Sequence, residues 1–535
     1  MSVPSTIAPR GFEPFRRPPY PLAVPMPAHA ASRVAPQPMS RGLPALDLGR
    51  IAKTVLLVTL LLLVNIFGNV GAAVFFAILA MMVVYSPSAA FKALIIMWLG
   101  LMLNHALVPK SLTWTPCRLI LPYLCLARFS IDIINLRTSL FTQPFYVLFL
   151  VYCATMALCS FISGWYTAVA LFKLANFWAA FTAVFAGAFV LIRKRIDIGE
   201  WLVSMIMSAT TIGLIAIAIG KDRISFGGGA SLHFGGAFLH PNCHSSYGSL
   251  FVVTLFAIYA FSPYRRRWLI YPLLLIWAVF IAWSRSRTAV LATSLGFMAI
   301  TPFLVSSLRP AGWIRRVNIS RGTMAVFGFA ACVLLGVADV ATGNRISQAV
   351  ITFVNKSDRL DDRGEVSLNV DDVIYSRANK IDEGLANFRQ NPVFGIGFQV
   401  AKNEGFMRNA TIFTAPVEKG FLPTAVLEEG GVVGACAFVV FIVAMPLTFI
   451  FQRNAPALAA FFTFLGSSLT EVSIFSPGGS GGFGWVMVAA AYVFGESCWA
   501  LRRPAGRAPA PSGLNVARPG LARLPDPRLG PGVAG

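Results

Sequence analysis

The sequence predicts an all-α polytopic membrane protein, and three observations carry that expectation. Hydrophobic residues make up 56% of the 535 residues and charged residues only 12%, with a mean hydropathy of +0.69; no single soluble core buries that much apolar side chain. The apolar residues fall into about fourteen runs, each close to the ~20 residues that one helical crossing needs. The basic residues collect in short connections and in two tails, as the positive-inside rule requires. A net charge of +22 would point a soluble chain toward nucleic acid, but distributed in this way it points to membrane lipids, and no nucleic-acid partner is expected.

Taken in order, residues 1–50 carry Arg10, Arg16, Arg17, Arg33, Arg41 and Arg50 among many prolines, a composition that buries no core and predicts a disordered cytoplasmic tail. The apolar segments lie near 53–68, 70–86, 89–108, 115–131, 143–162, 167–192, 200–220, 245–262, 267–283, 288–306, 323–341, 421–450, 457–473 and 481–500. The first reads as a signal anchor rather than a cleavable signal peptide, because the long polar tail precedes it. Residues 501–535 repeat the basic, proline-rich composition of the N-terminus and read as a second cytoplasmic tail that meets anionic lipid. The domain plan is therefore tail 1–50, transmembrane helices over 51–341, an outer polar segment over 342–422, further transmembrane helices over 423–500, and tail 501–535.

Alternating the spans from a cytoplasmic N-terminus puts Lys92, Arg128 with Arg137, Arg193 to Arg195, Arg265 to Arg267, Arg309 to Arg321, Arg453 and Arg502 with Arg503 inside. Both termini are then cytoplasmic, and the two sizeable polar segments, 221–244 and 342–422, lie outside. One basic cluster, Ser284-Arg-Ser-Arg287, is also sent outside, against the rule. The segment from Thr342 to Pro423 holds about half of the 22 acidic side chains, and chemistry is expected where it meets the membrane.

Several kinds of chemistry have no residues to carry them. There is no G-x-x-x-x-G-K stretch followed by Ser or Thr, so ATP hydrolysis within the chain is not expected. The eight cysteines show no C-x-x-C spacing, which argues against a disulfide framework or a zinc ribbon. No D-x-D pair is present, and the cytoplasmic connections are too short for a nucleotide-binding domain. An enzyme built this way needs a donor that lives in the membrane.

Ionisable side chains inside a bilayer are costly and mark candidate sites. Lys173, Arg285, Arg287, Asp339, Glu428, Glu429 and Glu471 all fall toward the outer ends of their segments. The bland reading is snorkelling or pairing between helices; the functional reading is a shared site for an anionic substrate. In the Ser284–Arg287 cluster, two guanidiniums suit a bidentate phosphate contact, with lipid phosphate as the alternative ligand. His233, His240 and His244 flank Asn242 just before a span; Pro241-Asn242 spoils the spacing for a metal, and a cap by Asn242 with substrate contact from the loop is expected instead.

Within the long polar segment, Ile381, Leu385 and Phe388 form one face of a short helix that Asn391-Pro392 ends. Gly395-x-Gly397 is too short for a dinucleotide fingerprint and reads as a turn that lets backbone amides approach another group. Glu418 stands where the next span begins and has the chemistry of a general base toward a sugar hydroxyl, with an ion pair to a neighbouring cation as the alternative.

Together these pieces resemble the O-antigen ligase and polysaccharide polymerase superfamily of bacterial inner-membrane glycosyltransferases. The resemblance rests on Gly235-Gly-Ala-Phe-Leu-His-Pro-Asn242, on Ser286-Arg-Thr-Ala289, on Ser376-Arg377 leading to Asn391-Pro-Val-Phe-Gly-Ile-Gly-Phe398, and on Phe421-Leu leading to Glu428-Glu-Gly-Gly-Val-Val-Gly434. It covers roughly residues 225–440. It implies a GT-C-like, metal-independent enzyme without cofactors, with about fourteen transmembrane helices and a long periplasmic loop containing short helices. It also implies an undecaprenyl-pyrophosphate-linked oligosaccharide as donor and a glycan or lipid as acceptor, at the periplasmic face.

By position, Arg287 and Arg377 match the family's pyrophosphate-binding arginines, with Arg285 and Lys173 as further cations and Glu418 as catalytic base. His233, His240, Asn242 and Glu428 are the remaining expected substrate contacts. Two departures stand out: Glu418-Lys419 replaces a His-Asn pair common in the family, and His233 replaces an arginine. An exopolysaccharide polymerase is favoured over a ligase because nothing in the sequence identifies a lipid A partner. The rival from another class is a flippase or transporter of lipid-linked oligosaccharide, against which stands the lack of internal repeats.

Overall fold

A helix inside a bilayer satisfies its backbone N–H and C=O groups internally, which makes it the stable form of a long apolar run. The computed structural model describes residues 46–105, 107–109, 114–221, 223–225, 232–238, 241–262, 267–284, 286–307, 381–401, 419, 421–469, 472–476 and 479–502, all within the compact unit Leu43–Gly535. Helices α1 (Leu48–Leu63), α2 (Gly68–Tyr85), α3 (Pro87–Leu101), α4 (Trp114–Asn135), α5 (Pro144–Ser163), α6 (Thr167–Arg193), α7 (Gly199–Ala218), α8 (Pro241–Phe261), α9 (Ile270–Trp283) and α10 (Arg287–Ser307) come first. Helix α11 occupies residues 381–390, and α12 (Leu422–Phe451), α13 (Ala455–Ser468) and α14 (Ser480–Arg502) follow.

Each predicted apolar segment coincides with one of these helices except 323–341, which lies outside the described residues, as do residues 1–45, 503–535 and most of 342–422. Among the described residues, seven helices are long and apolar enough to cross a membrane, with Leu48–Tyr85 taken as one stretch, and α3, α9 and α13 are shorter apolar helices. The protein is thus a largely helical membrane protein. A two-stranded antiparallel hairpin, β1 (Arg223–Ser225) with β2 (Leu232–Phe234), departs from the all-α expectation.

Local sequence sets the helix ends. Asp47 accepts from the N–H groups of Gly49 (3.0 Å) and Arg50 (3.3 Å) as the N-cap of α1, so the helix begins inside the segment 1–50 that composition assigns to the tail. Ser86 caps α3 through the Ala89 N–H at 3.1 Å, with Pro87 in the first turn. That helix stops at Leu101, short of the expected 108, because the chain beyond it pairs elsewhere: Leu103 bridges Phe238, and the Asn104 N–H donates to the Ala237 carbonyl at 2.9 Å. Helix α8 begins at Pro241, which puts Asn242 inside the first turn rather than at the expected cap; proline's fixed φ preorganises the start one residue earlier. Between α1 and α2, Gly68 takes φ 63°, and the chain turns back.

Contacts between helix ends sort them into two sides. On one side Arg50 lies 3.7 Å from Glu200, Lys92 sits over Trp201, Lys194 pairs with Asp132 at 2.6 Å, and Gln452 meets Gln143. On the other side Asn104 Nδ2 donates to the Lys221 carbonyl at 2.7 Å, Ser163 Oγ donates to the Ile396 carbonyl, and the Leu422 N–H donates to the Leu469 carbonyl. The described parts of both polar segments therefore share one end of the bundle. The flanks carry large exposed apolar side chains, among them Phe67 and Phe161 at that end and Tyr85 and Phe451 at the opposite end, the last two 85% and 82% exposed. Such a surface is stable against lipid rather than water.

Inside, α5, α6, α12 and α14 share an aromatic column. Phe149 stacks on Phe181 at 3.9 Å, Phe441 packs against both, and Trp485 closes the side at 5.0 Å from Phe181. This column supports the site from below.

Candidate functional site

Glu428-Glu-Gly-Gly431 interrupts the apolar run of α12, and the helix breaks there: Gly431 has φ 59° and ψ −159°. In an unbroken helix the N–H groups of Val432 and Val433 would bond the carbonyls of Glu428 and Glu429. They donate instead to Pro392 O (2.8 Å) and Val393 O (3.2 Å), while Glu428 O and Glu429 O accept from the N–H groups of Ile396 (2.8 Å) and Gly397 (3.0 Å). The segment 392–397 is thus spliced into the helix, exchanging two helical bonds for four. A Cβ on Gly395, at φ 66°, would strike the Glu428 and Glu429 backbone, and one on Gly431 would strike Val393 and Phe394; both positions require glycine. The turn expected of Gly395-x-Gly397 is present, and the group its amides approach is the opened helix.

The chain beyond this splice is held just as firmly. The Phe398 N–H donates to Ser160 Oγ at 3.0 Å, Trp165 Nε1 donates to the Ala401 carbonyl at 3.2 Å, and the buried Phe398 ring lies between Phe177 (5.8 Å) and Phe475 (5.7 Å). Helix α11 ends at residue 390 as expected. On its packed face, Asn387 Nδ2 donates to Glu428 Oε1 at 2.9 Å.

A charged cluster sits against the splice. Lys419 Nζ lies 3.0 Å from Glu428 Oε2 and 3.4 Å from Glu429 Oε1, with all three side chains under 9% exposed. Gln399 has φ 51°; its backbone lies beside the Glu429 carboxylate, and its carbonyl accepts from Lys173 Nζ at 2.6 Å. A residue other than glycine held at positive φ is strained, and here it is held by one charge on each side. The cluster sets two lysine amino groups against two glutamate carboxyl groups.

Of the candidates read from the sequence, the structure brings together Lys173, Glu428 and Glu429. Lys173 holds a loop carbonyl, and Glu428 holds Lys419 and Asn387. Arg287 opens α10 at the same end, half-buried, and α10 packs on α13 with Ala292 against Gly466. Glu418, Arg285, Arg377, His240, Asp339 and Glu471 lie outside the described residues, as do the side chains of His233 and Asn242. His244 is fully buried among Phe234, Trp277 and Phe280, a packing position.

Sequence reasoning passed over Lys419 except as a neighbour of Glu418, and it passed over Asn387, Ser160 and Gln399. A signal for the first was present: a cation just before a helix, with two acids two turns inside it. Because 419 and 421 precede the helix, a lysine there reaches back along the first turns. The sequence matches no protein-family model, and no curated protein is significantly similar to it.

Proposed function

We propose that the protein is a membrane glycosyltransferase of surface polysaccharide biosynthesis, a polymerase or ligase acting on undecaprenyl-pyrophosphate-linked oligosaccharide. The observation that carries this reading is the splice. The two most distinctive blocks of the family resemblance, Asn391 to Phe398 and Glu428 to Gly434, far apart in the chain, meet at one place through four backbone hydrogen bonds. That place lies at the end of the bundle shared by the polar segments. In this reading the chain has a GT-C-like arrangement of about fourteen spans in the bacterial inner membrane, with both termini cytoplasmic and the splice on the periplasmic side.

The chemistry follows from the residue types. The acceptor hydroxyl oxygen bonds to the anomeric carbon of the donor as the bond from that carbon to the pyrophosphate oxygen breaks. The bonding pair leaves with the pyrophosphate, and the hydroxyl proton passes to Glu418 as general base. Arg285, Arg287 and Arg377 meet the leaving pyrophosphate, for which guanidinium geometry is suited. Lys173 and Glu428 belong to the frame of the site in this scheme, since both are engaged by loop and helix groups.

Purified full-length protein in liposomes, given a synthetic polyprenyl-pyrophosphate oligosaccharide, tests the reading. Extended or transferred glycan, lost in Arg287→Ala, is expected. Translocation of the intact donor with no new glycosidic bond would replace this reading by that of a transporter.

A further inference from the structure

At the end of the bundle remote from the splice, three helices stop in the same way. After α4 the Arg137 N–H donates to the Ile134 carbonyl (3.0 Å) and the Thr138 N–H to the Ile133 carbonyl (3.2 Å). After α6 the N–H groups of Arg195 and Ile196 donate to Ile192 and Leu191, both at 3.0 Å, and after α12 those of Arg453 and Asn454 donate to Ile450 (3.0 Å) and Phe449 (2.8 Å). In each case an arginine holds the left-handed position that closes the helix, at φ 48°, 54° and 55°, where glycine is the usual residue. The opposite end uses glycine: Gly220 makes the same pair of bonds after α7, at φ 66°, and Gly164 follows α5 at φ 64°.

Of the five described residues other than glycine at positive φ, three are these arginines, so the strain is selective and calls for a cause. The helix dipole does not supply one. A cation in the last turn meets the carbonyl end without leaving the helical region, and Arg193 already does so in α6. Ion pairing does not supply one either, since the three side chains are exposed and form no ion pair among the described residues. The described acids at this end are engaged elsewhere: Asp132 with Lys194 (2.6 Å) and Arg128 (3.5 Å), Glu200 with Arg50 (3.7 Å), Glu496 with Asn454 (3.5 Å), and Asp47 and Asp197 with backbone N–H groups.

What the position supplies is a cation at the rim of an apolar flank. The chain reverses at the left-handed residue, and the turn before it carries exposed apolar side chains: Ile134 (72% exposed) and Leu136 before Arg137, Ile450 and Phe451 before Arg453. Gln452 Nε2 donates to Gln143 Oε1 at 3.3 Å, which joins the end of α12 to the connection between α4 and α5, where Phe141 is also exposed. Exposed apolar surface ending at cations without acidic partners fits a molecule with an acyl body and a phosphate head. A zwitterionic head brings its own cation beside the arginines, whereas an anionic head leaves the attraction whole.

We infer that Arg137, Arg195 and Arg453 form a rim that binds the phosphates of anionic phospholipid in the leaflet at this end. Arginine in place of glycine at a left-handed helix end accepts backbone strain in return for a headgroup contact, and it does so on one face of the protein. The rim is independent of the reaction proposed for the splice, which lies at the other end.

Full-length protein in detergent tests the rim with phosphatidylglycerol and phosphatidylcholine of identical acyl chains. Phosphatidylglycerol should raise the wild-type thermal midpoint at least about 2 °C more than phosphatidylcholine does, because a ligand of the folded state stabilises it by mass action. The triple variant Arg137→Gly with Arg195→Gly and Arg453→Gly should have a lipid-free midpoint no lower than wild type, since glycine suits these backbones. In it the difference between the two lipids should shrink to less than about 0.5 °C. Glutamine at the same three positions keeps the stem, discards the charge and should lose the difference equally; lysine should keep at least about half of it.

Native mass spectrometry at matched lipid concentration gives a second reading: phosphatidylglycerol adducts should be at least about threefold fewer in the glycine variant than in wild type. A preference for phosphatidylglycerol that survives in the glycine and glutamine variants would assign it to other basic residues and overturn the rim, as would no preference in wild type. Inorganic phosphate that reproduces the midpoint shift at the same concentration would make the ligand a free anion and overturn the lipid. A lipid-free midpoint more than about 2 °C lower in the glycine variant would give the arginines a role within the fold and overturn the inference as well.

Discussion

Replacing Gly431 by alanine tests the splice directly. An L-residue at φ 59° costs about 1–2 kcal/mol over glycine, and the added methyl runs into the Val393 carbonyl. That clash is relieved only by moving the inserted segment, which breaks the bonds from Val432 to Pro392 and from Val433 to Val393 at about 1 kcal/mol each. The docked state should lose about 3–4 kcal/mol in total. Alanine also favours closure of the helix, since the Glu428 and Glu429 carbonyls then regain their own N–H partners.

Hydrogen exchange at the Ile396 and Gly397 amides reads this opening, because both are bonded only through the splice. At about 1.4 kcal/mol per tenfold, their protection should fall by a factor of about 10² to 10³. Val439→Ala, on an exposed face of α12, should leave protection at those two amides unchanged. Wild-type protection of Ile396 and Gly397 in folded Gly431→Ala protein would refute the reasoning, since the segment would then not depend on a left-handed residue in the helix.

Two further perturbations address the support beneath and the opposite end. Phe398→Ala removes a fully buried ring from between Phe177 and Phe475 and should destabilise the protein by about 3–5 kcal/mol, measured as a lower midpoint in a detergent thermal-shift assay; a midpoint within a degree of wild type would show that the ring does not anchor the segment. Asn454→Ala removes the cap on the Ala457 N–H (3.1 Å) and the bond to the Tyr492 carbonyl (2.9 Å), a loss of about 2 kcal/mol. Because it lies at the end remote from the splice, the proposed transferase reading expects glycan output per folded molecule to be unchanged, and a selective loss of activity would contradict that placement.

How much was legible in advance varied with the range of the interaction. Apolar runs bounded by proline, asparagine or basic residues gave most helices to within a few residues, because a bilayer leaves an apolar chain few alternatives. Boundaries slipped where a polar side chain or a distant partner decided them: Asp47 starts α1 early, and the pairing of Leu103 and Asn104 with Phe238 and Ala237 ends α3 early. The Gly395 turn was legible as a turn, and Glu428-Glu-Gly-Gly431 as a motif. Their mutual insertion was not, since it depends on which carbonyls a positive φ at Gly431 releases. The pairing of Lys419 was missed for a related reason. Its partners become neighbours only once the helix is known to begin at Leu422.

The same geometry redistributes the charges read from the sequence. Seven ionisable groups at one level resemble a single anionic-substrate site as long as their partners are unknown. In the structure Lys173, Glu428 and Glu429 join Lys419 in one set with Asn387 and the Gln399 carbonyl, in which both lysines are already engaged by protein groups. If a pyrophosphate is bound at this end, its charge has to be met by cations outside that set, and Arg287 at the start of α10 is one such described residue, with Lys221 and Arg389 at the same end. Arginine suits the task for a reason independent of any resemblance: it stays ionised and offers a planar fork of donors, whereas Lys173 is already committed to a carbonyl and Lys419 to two carboxylates. Exchanging Arg287 for lysine would therefore cost more activity than its conserved charge implies, while Lys173→Arg would act through the Gln399 turn it supports.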